Sequence, residues 1–167
     1  MKVELRAIPE TEKGVLWRLM QLYLYDFTEV EPCDVETSGE YEYPYFDNYW
    51  TDPDRHPFFI EVDGKLAGFV LICGWTALPE NESGRSIAEF FVMRRYRRRK
   101  IGSTAALLAF GMFPGRWEIR ETKHNYPAQT FWRELINEYM SGAYLEKVLD
   151  NDQWRGLIQS FDNSENR

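Results

Sequence analysis

Apolar and polar residues alternate across Lys2–Ile8, where Val3, Leu5 and Ala7 share one face, and this period of two predicts a strand. After Pro9–Glu12 the period lengthens. Val15, Leu16, Leu19, Met20, Leu22, Tyr23 and Phe27 recur at helical spacing, which predicts a helix through about Asp26. Periodicity is lost from Glu29 to Asp54. That stretch holds acids, aromatics, Pro32, Gly39, Pro44 and Pro53, and predicts a long loop with at most a short helix. Phe58–Val62 and Lys65–Thr76, joined by Asp63-Gly64, carry the strongest hairpin signal in the chain. Ser86–Met93 predicts another strand, and Ile101–Phe113 a helix stopped by Pro114-Gly115. In Arg116–Arg120, Trp117 and Ile119 alternate with charges, as in a half-buried strand. Pro127–Met140 places Ala128, Phe131, Trp132, Leu135, Ile136 and Tyr139 on one broad helical face. Tyr144–Leu149 and Trp154–Phe161 predict a closing hairpin around Asp150–Asp152, and 163–167 a frayed tail.

The order of elements places the chain in the α/β (α+β) class, as one domain over 1–162. A chain of 167 residues is long enough to bury roughly 70% of its unfolded surface. At 44% hydrophobic and 16% aromatic residues, wholesale disorder is excluded. The alternating start MKVELRAI does not resemble a signal peptide, and no apolar run reaches the ~18 residues of a membrane span. Cys33 and Cys73 are too few and too far apart for a disulfide framework. A cytoplasmic location is expected on these grounds. No membrane partner is expected, and the oligomeric state stays open, a homodimer included.

Net charge is −7, but its distribution changes the picture more than its sum. Segment 26–63 holds twelve acidic residues against one arginine, Arg55, whereas six of the seven residues at 94–100 are cationic and none is acidic. One pole attracts a polyanion and the other favours cations, unless both are plain solvated surface. The basic pole has a specific setting. The apolar run Phe90–Phe91–Val92–Met93 ends at Arg94, and Ile101-Gly102-Ser103 then opens a helix with Ile101, Ala105, Leu108 and Met112 on one face. Strand, basic loop and helix start together make an anion cradle. Amides at a helix N-terminus are unpaired, the helix dipole favours negative charge there, and Gly102 admits a ligand close to the backbone.

Tyr96-Arg97-Arg98-Arg99-Lys100-Ile101-Gly102-Ser103 resembles the acetyl-CoA signature of the GNAT family of N-acetyltransferases, Tyr-Arg-Gly-x-Gly-Ile-Gly after a strand ending in an aliphatic residue. Arg97 and Gly102 match its first and last fixed positions, while Arg98 and Lys100 stand where it has glycines. A second patch, Asn125-x-x-Ala128-x-x-Phe131-Trp132, is similar to the family's Asn-x-x-Ala-x-x-Leu-Tyr. The element order also agrees over nearly the whole chain. The resemblance implies a mixed central sheet of six to seven strands flanked by helices, with the acidic-aromatic loop after the first helix. It implies acetyl-CoA as co-substrate and no metal. The backbone of Phe91, Val92 and Met93 would hold the thioester and pantetheine. Arg97, Arg98, Arg99, Lys100, Ile101, Gly102 and Ser103 would hold the diphosphate, and Asn125 the pantetheine arm. Trp132 takes the place of the tyrosine that often protonates the departing thiolate, so that donor is absent. The acceptor would be a primary amine, and a small cationic one suits the acidic segment 29–54.

Glu89 stands just before Phe90–Val92 on a strand otherwise apolar. Either it faces solvent on the alternate face, or it is a general base, since family members often place an acid there. A base has a sizeable task. A lysine-like amine of pKa ~10.4 is neutral in only about one molecule in several thousand at pH 7, a deficit of ~4–5 kcal/mol. His56 and His124 lack the spacing of metal ligands. Ser103 reads as a helix cap rather than a nucleophile, and Cys73 as a small core residue. Two other classes stay open: a CoA-binding module without transferase activity, and a nucleic-acid binder using the arginine block. The second is the weaker, because one basic turn in a chain of net charge −7 makes few phosphate contacts.

Overall fold

Asp63 and Gly64 adopt φ of 50° and 75°, the left-handed pair that a two-residue hairpin turn requires. In the computed structural model, which describes residues 1–165, this turn joins β2 (Arg55–Val62) to β3 (Lys65–Cys73). β1 (Val3–Ala7) pairs antiparallel with β2, and β4 (Arg85–Val92) pairs antiparallel with β3. β5 (Arg116–Thr122) runs parallel to β4, and β7 (Arg155–Asp162) and β6 (Leu145–Asp150) extend the sheet antiparallel. The result is a seven-stranded mixed sheet of order β1-β2-β3-β4-β5-β7-β6.

The period of two sorts side chains between two layers. Phe59, Phe69, Leu71 and Phe91 pack on one face against Leu16, Leu19 and Met20 of α1 (Lys13–Phe27). Phe58, Val70, Ile72, Trp117 and Ile119 pack on the other against Phe110 of α2 (Ile101–Met112) and Trp132, Leu135 and Ile136 of α3 (Tyr126–Tyr139). Ile136 is fully buried, so its truncation to Ala should cost about 2–5 kcal/mol.

Two departures from a regular sheet create the site. First, β4 and β5 pair only at Arg85↔Trp117, Ser86↔Glu118 and Ile87↔Ile119, and then splay apart. Second, the β3–β4 register steps from Ile72↔Ile87 to Leu71↔Glu89, leaving Ala88 as an extra residue. A bulge of this kind re-aims the residues beyond it. Glu89 therefore shares the face of Leu71 and α1, not that of Ile87 and α3.

Segment 28–54 contains one 3-10 turn, Asp47–Trp50. It is pinned to the helix and strand beneath it. Trp50 Nε1 donates to the Ile8 carbonyl at 2.9 Å, Trp17 Nε1 to Glu40 at 2.9 Å, and the Gln21 side chain bonds both backbone groups of Tyr41. The frayed tail expected from Asn163 begins later. Asn163 is 2% exposed and donates to the Phe110 carbonyl at 3.0 Å, while its Oδ1 accepts from Gly115 N at 2.8 Å. Of that expected tail, residues 166 and 167 lie outside the described residues. Among the described residues, no helix is long and apolar enough to cross a membrane.

Candidate active site

Beyond Ile87 the β4 edge loses its β5 partner, and two clefts meet in the gap. One, of about 720 Å³, runs over Phe90–Val92, the basic loop and the start of α2. The other, of about 740 Å³, lies under α1, the aromatic end of segment 28–54 and the C-terminal ends of β4 and β5. Tyr23, Phe27, Phe90, Asn125, Ala128 and Trp132 line both, so the clefts are continuous.

The first cleft has the features of an anion site. Arg98 and Lys100 hold φ of 61° and 60°, a left-handed conformation costing about 1–2 kcal/mol for a residue with a Cβ. These are the two positions where the family signature has glycines, so the chain follows a glycine-like path without them. Lys100 is the N-cap of α2 and no side chain caps the helix. The first amide to pair along the helix is that of Thr104, with the Lys100 carbonyl at 2.9 Å. The amides of Ile101, Gly102 and Ser103 precede it and have no partner within the helix. The expectation that Ser103 caps the helix is thereby corrected: it is the third helical residue and lines the cleft. A Cβ on Gly102 would meet Phe131 at 3.5 Å and Phe90 at 3.7 Å, ordinary contacts. Protein packing does not demand a glycine there.

The sequence-predicted residues separate on inspection. Phe91, Val92, Arg97, Arg98, Lys100, Gly102, Ser103, Asn125 and Trp132 line this cleft, whereas Met93, Arg99 and Ile101 do not. Met93 donates its amide to the Ala67 carbonyl at 2.8 Å, and Ile101 is 1% exposed in the core. Arg97 is already engaged: Nε donates to the Val92 carbonyl at 2.7 Å and Nη2 to Asp26 at 2.5 Å. Arg94 binds the other oxygen of Asp26. Burial opposes ionisation of Asp26, but the two arginines overcome it and hold the carboxyl below its usual range. Arg97 thus ties the end of α1 to the loop. Asn125 caps α3, its Oδ1 accepting from Ala128 N at 3.3 Å.

Glu89 lies in the second cleft, not on a solvent-facing strand position. The Tyr23 hydroxyl donates to its Oε2 at 2.5 Å, and Tyr43 faces the same carboxyl. Burial pushes the Glu89 carboxyl up to about 7, with Tyr23, Tyr43 and Arg120 partly opposing it. Burial and the Glu89 charge push the Tyr23 and Tyr43 hydroxyls up as well, so both remain donors. A carboxyl titrating near neutrality and held by two hydroxyls can accept a proton from a substrate.

Three groups in this cleft escape a reading of the sequence. Tyr23 belongs to the apolar stripe of α1, and Tyr43 to the aromatics of the loop. Glu121 is 3% exposed, and neither of its oxygens has a hydrogen-bond partner among the described residues. Burial and the nearby Glu146 push it up to about 9, with Arg133 partly opposing. Its signal was a carboxylate continuing the apolar alternation of Trp117 and Ile119. The acidic segment contributes differently from the expectation. It lends Tyr43 and Tyr45 to this cleft, and the carboxyls there are Glu89 and Glu121. The two arginines present are committed. Arg55 pairs with Asp52 at 3.3 Å, and Arg120 with Glu118 at 3.1 Å while lying 4.3 Å from the Trp75 ring centroid. Trp132 packs edge-on against Phe90 at 5.0 Å. Among the described residues no group of His, Cys, Asp or Glu is arranged to hold a metal.

The family model described as Acetyltransferase (GNAT) family matches residues 17–137. The chain belongs to this family, whose activity is acetyl transfer from acetyl-CoA. No curated protein matches the sequence. Solved structures share the fold at low identity. An acetyltransferase from Thermus thermophilus superposes with a TM-score of 0.67 at 15% identity, over 96% of this chain and 95% of that one. A PaiA N-acetyltransferase from Thermoplasma acidophilum, in complex with coenzyme A, gives 0.60 at 14%, over 97% and 99%. A spermidine N-acetyltransferase chimera from Vibrio cholerae and hSSAT gives 0.62 at 12%, over the whole of both chains.

Proposed function

We propose that this chain transfers the acetyl group of acetyl-CoA to a primary amine, with a small cationic amine as acceptor. The observation that carries the reading is Glu89, a half-buried residue of the second cleft whose carboxyl burial pushes up to about 7, beside the Tyr23 and Phe90 that line both clefts. The anion cradle adjoins its cleft, and the two arginines in that cleft each pair with a carboxylate of their own, Arg55 with Asp52 and Arg120 with Glu118.

The residues fit the co-substrate. The open β4 edge at Phe91 and Val92 suits the pantetheine amides, as Asn125 does from the start of α3. The amides of Ile101, Gly102 and Ser103, with Arg98 and Lys100 beside them, suit the diphosphate. When bound, the thioester supplies an activated acyl carbon. The protein supplies orientation and the proton acceptor. Ionised Glu89 takes a proton from the amine nitrogen, while Tyr23 and Tyr43 hold the carboxyl in place. The aromatic walls, Tyr45, Trp75 and Trp154 among them, already carry Arg55 or Arg120 over their rings and suit the methylenes of the amine.

The test is release of free thiol from acetyl-CoA with a panel of primary amines, with the acetylated amine identified by mass. Amine-dependent release at near one thiol per acetylated amine is the expected result. A rise in melting temperature with CoA but no thiol release across the panel would make the chain a CoA-binding module instead.

A further inference from the structure

The family's proton donor is absent at Trp132, because an indole N–H donates a hydrogen bond but does not release its proton in this pH range. The departing sulfur still needs a proton. We propose that Glu121 is the acid that protonates the CoA thiolate, an assignment that rests on the acetyl-transfer reading above.

The register of the sheet sets the position. β4 and β5 pair last at Ile87↔Ile119, so Glu89 on β4 and Glu121 on β5 both lie just past the point where the strands part. The bulge at Ala88 turns Glu89 towards α1. β5 has no such bulge in its β7 pairing, so Glu121 keeps the face of Ile119, beneath α3. The two carboxyls thus bound one cleft from opposite layers. Glu121 shares its side with Ala128 and Trp132, which also line the cradle cleft, so the sulfur arriving from the cradle reaches Glu121's side of the gap.

The environment keeps Glu121 protonated. It is 3% exposed, and both oxygens lack a partner among the described residues. The charged side chains acting on it are Glu146 from β6 and Arg133 from α3. Arg133 is spent on Glu146 in a two-pronged pair at 2.9 and 3.0 Å, and Gln159 donates to Glu146 at 3.3 Å. Arg133 therefore only partly offsets the burial and the Glu146 charge that disfavour a Glu121 carboxylate. Its pKa of about 9 lies near that of a thiol, ~8.5. A proton moves between such matched groups with little change in free energy. Two carboxyls of one cleft set to different pKa values, about 7 and about 9, divide the base and acid roles.

The step balances. The amine nitrogen forms a bond to the acetyl carbon, and the carbon–sulfur bond breaks with its electron pair going to sulfur. Glu89 carboxylate takes the nitrogen's proton and the Glu121 carboxyl gives its own to sulfur. Transfer of one proton from Glu89 to Glu121 through water restores both groups. A substrate that arrives as ammonium releases one further proton to solvent.

Glu121→Gln keeps the shape and a hydrogen-bond donor but has no proton to give. It should lower kcat ~10²–10³-fold at neutral pH with the KM for acetyl-CoA unchanged. The fall of wild-type kcat above about pH 9 should vanish in it, and Glu121→Asp should restore part of the rate. A readout free of turnover is the infrared carbonyl band of a protonated carboxyl at neutral pH. The band should be lost in Glu121→Gln and, in wild-type protein, should shift with CoA but not with desulfo-CoA, which lacks the sulfur. Wild-type kcat in Glu121→Gln, or a band indifferent to the sulfur, overturns the assignment. A sulfur-dependent shift in a protein that acetylates no amine supports Glu121 at the thiol and sinks the transferase reading alone. If Glu121→Gln does not fold, Glu121→Asp carries both measurements: its kcat should follow a shifted alkaline limb, and an unshifted limb overturns the proposal.

Discussion

The Tyr23 hydroxyl donates to Glu89 Oε2 at 2.5 Å, linking α1 to the bulged strand β4 across a sequence separation of 66 residues. Two effects on Glu89 oppose each other: burial raises its pKa, and this hydrogen bond lowers it. Removing the donor therefore has a defined sign. A hydrogen bond to a charged group contributes about 1.5–3 kcal/mol, equivalent to roughly one to two pKa units. Tyr23→Phe should move the acidic limb of kcat/KM upward by about that much. Turnover at pH 7 should fall, and recover at higher pH. A limb that stays in place would show that Tyr23 does not tune the base.

Glu89→Gln removes the base and keeps its volume. Turnover should drop ~10²–10⁴-fold at pH 7 with acetyl-CoA affinity nearly unchanged. The deficit should shrink as pH approaches the amine's own pKa, because the substrate then arrives neutral. In the wild type, activity should rise with pH through about 7, where Glu89 ionises. Stability runs the opposite way. A carboxyl raised in the folded state binds its proton more tightly there than when unfolded, so its contribution is full at low pH and is lost as pH rises through about 7. Glu89→Gln should thus gain on the wild type in urea midpoint between pH 5 and pH 8.

What was legible in the sequence was local. The Asp63-Gly64 turn, the stripe of α3 and the strand–basic loop–helix passage are each set by neighbours a few residues apart, and each has its counterpart in the structure. The site depends on contacts that periodicity does not carry. A strict period of two puts Glu89 on the face of Ile87, and one extra residue at Ala88 reverses it. Arg97 reads as a phosphate ligand, and nothing in the sequence signals that Asp26, 71 residues earlier, holds its guanidinium at the cleft. Glu121 fell just past the predicted end of a strand that in fact runs to Thr122. Asn163 looks like a polar tail residue, yet it bonds the Phe110 carbonyl and Gly115 N.

The left-handed residues of the basic loop should show a conflict between stability and binding. Relief of left-handed strain is worth ~1–2 kcal/mol, and the greater freedom of unfolded glycine takes back ~0.4–1 kcal/mol. Lys100→Gly should therefore stabilise the fold by up to about 1.6 kcal/mol in a denaturant titration. It also deletes a charge from the cradle, so CoA affinity should fall and its dependence on salt flatten. Arg98→Gly should behave alike. Destabilisation by both variants would mean that their side chains hold the loop, against the exposed positions they occupy.

Gly102→Ala separates what the fold needs from what the ligand needs. The added Cβ meets Phe131 at 3.5 Å and Phe90 at 3.7 Å, which are tolerable contacts. Alanine is the better residue in a helix by about 0.5–1 kcal/mol, so the unliganded variant should melt at the wild-type temperature or above it. The same methyl group sits at the second residue of α2, on the cleft wall where the diphosphate would meet the amides. At 100 times its dissociation constant, CoA should stabilise the wild type by about 2.7 kcal/mol. At that same concentration Gly102→Ala should show about half of this gain or less, since a tenfold loss of affinity already takes away about 1.4 kcal/mol. Equal ligand-induced shifts in the two proteins would move the diphosphate away from the start of α2, while a variant that melts lower without ligand would make Gly102 a packing residue.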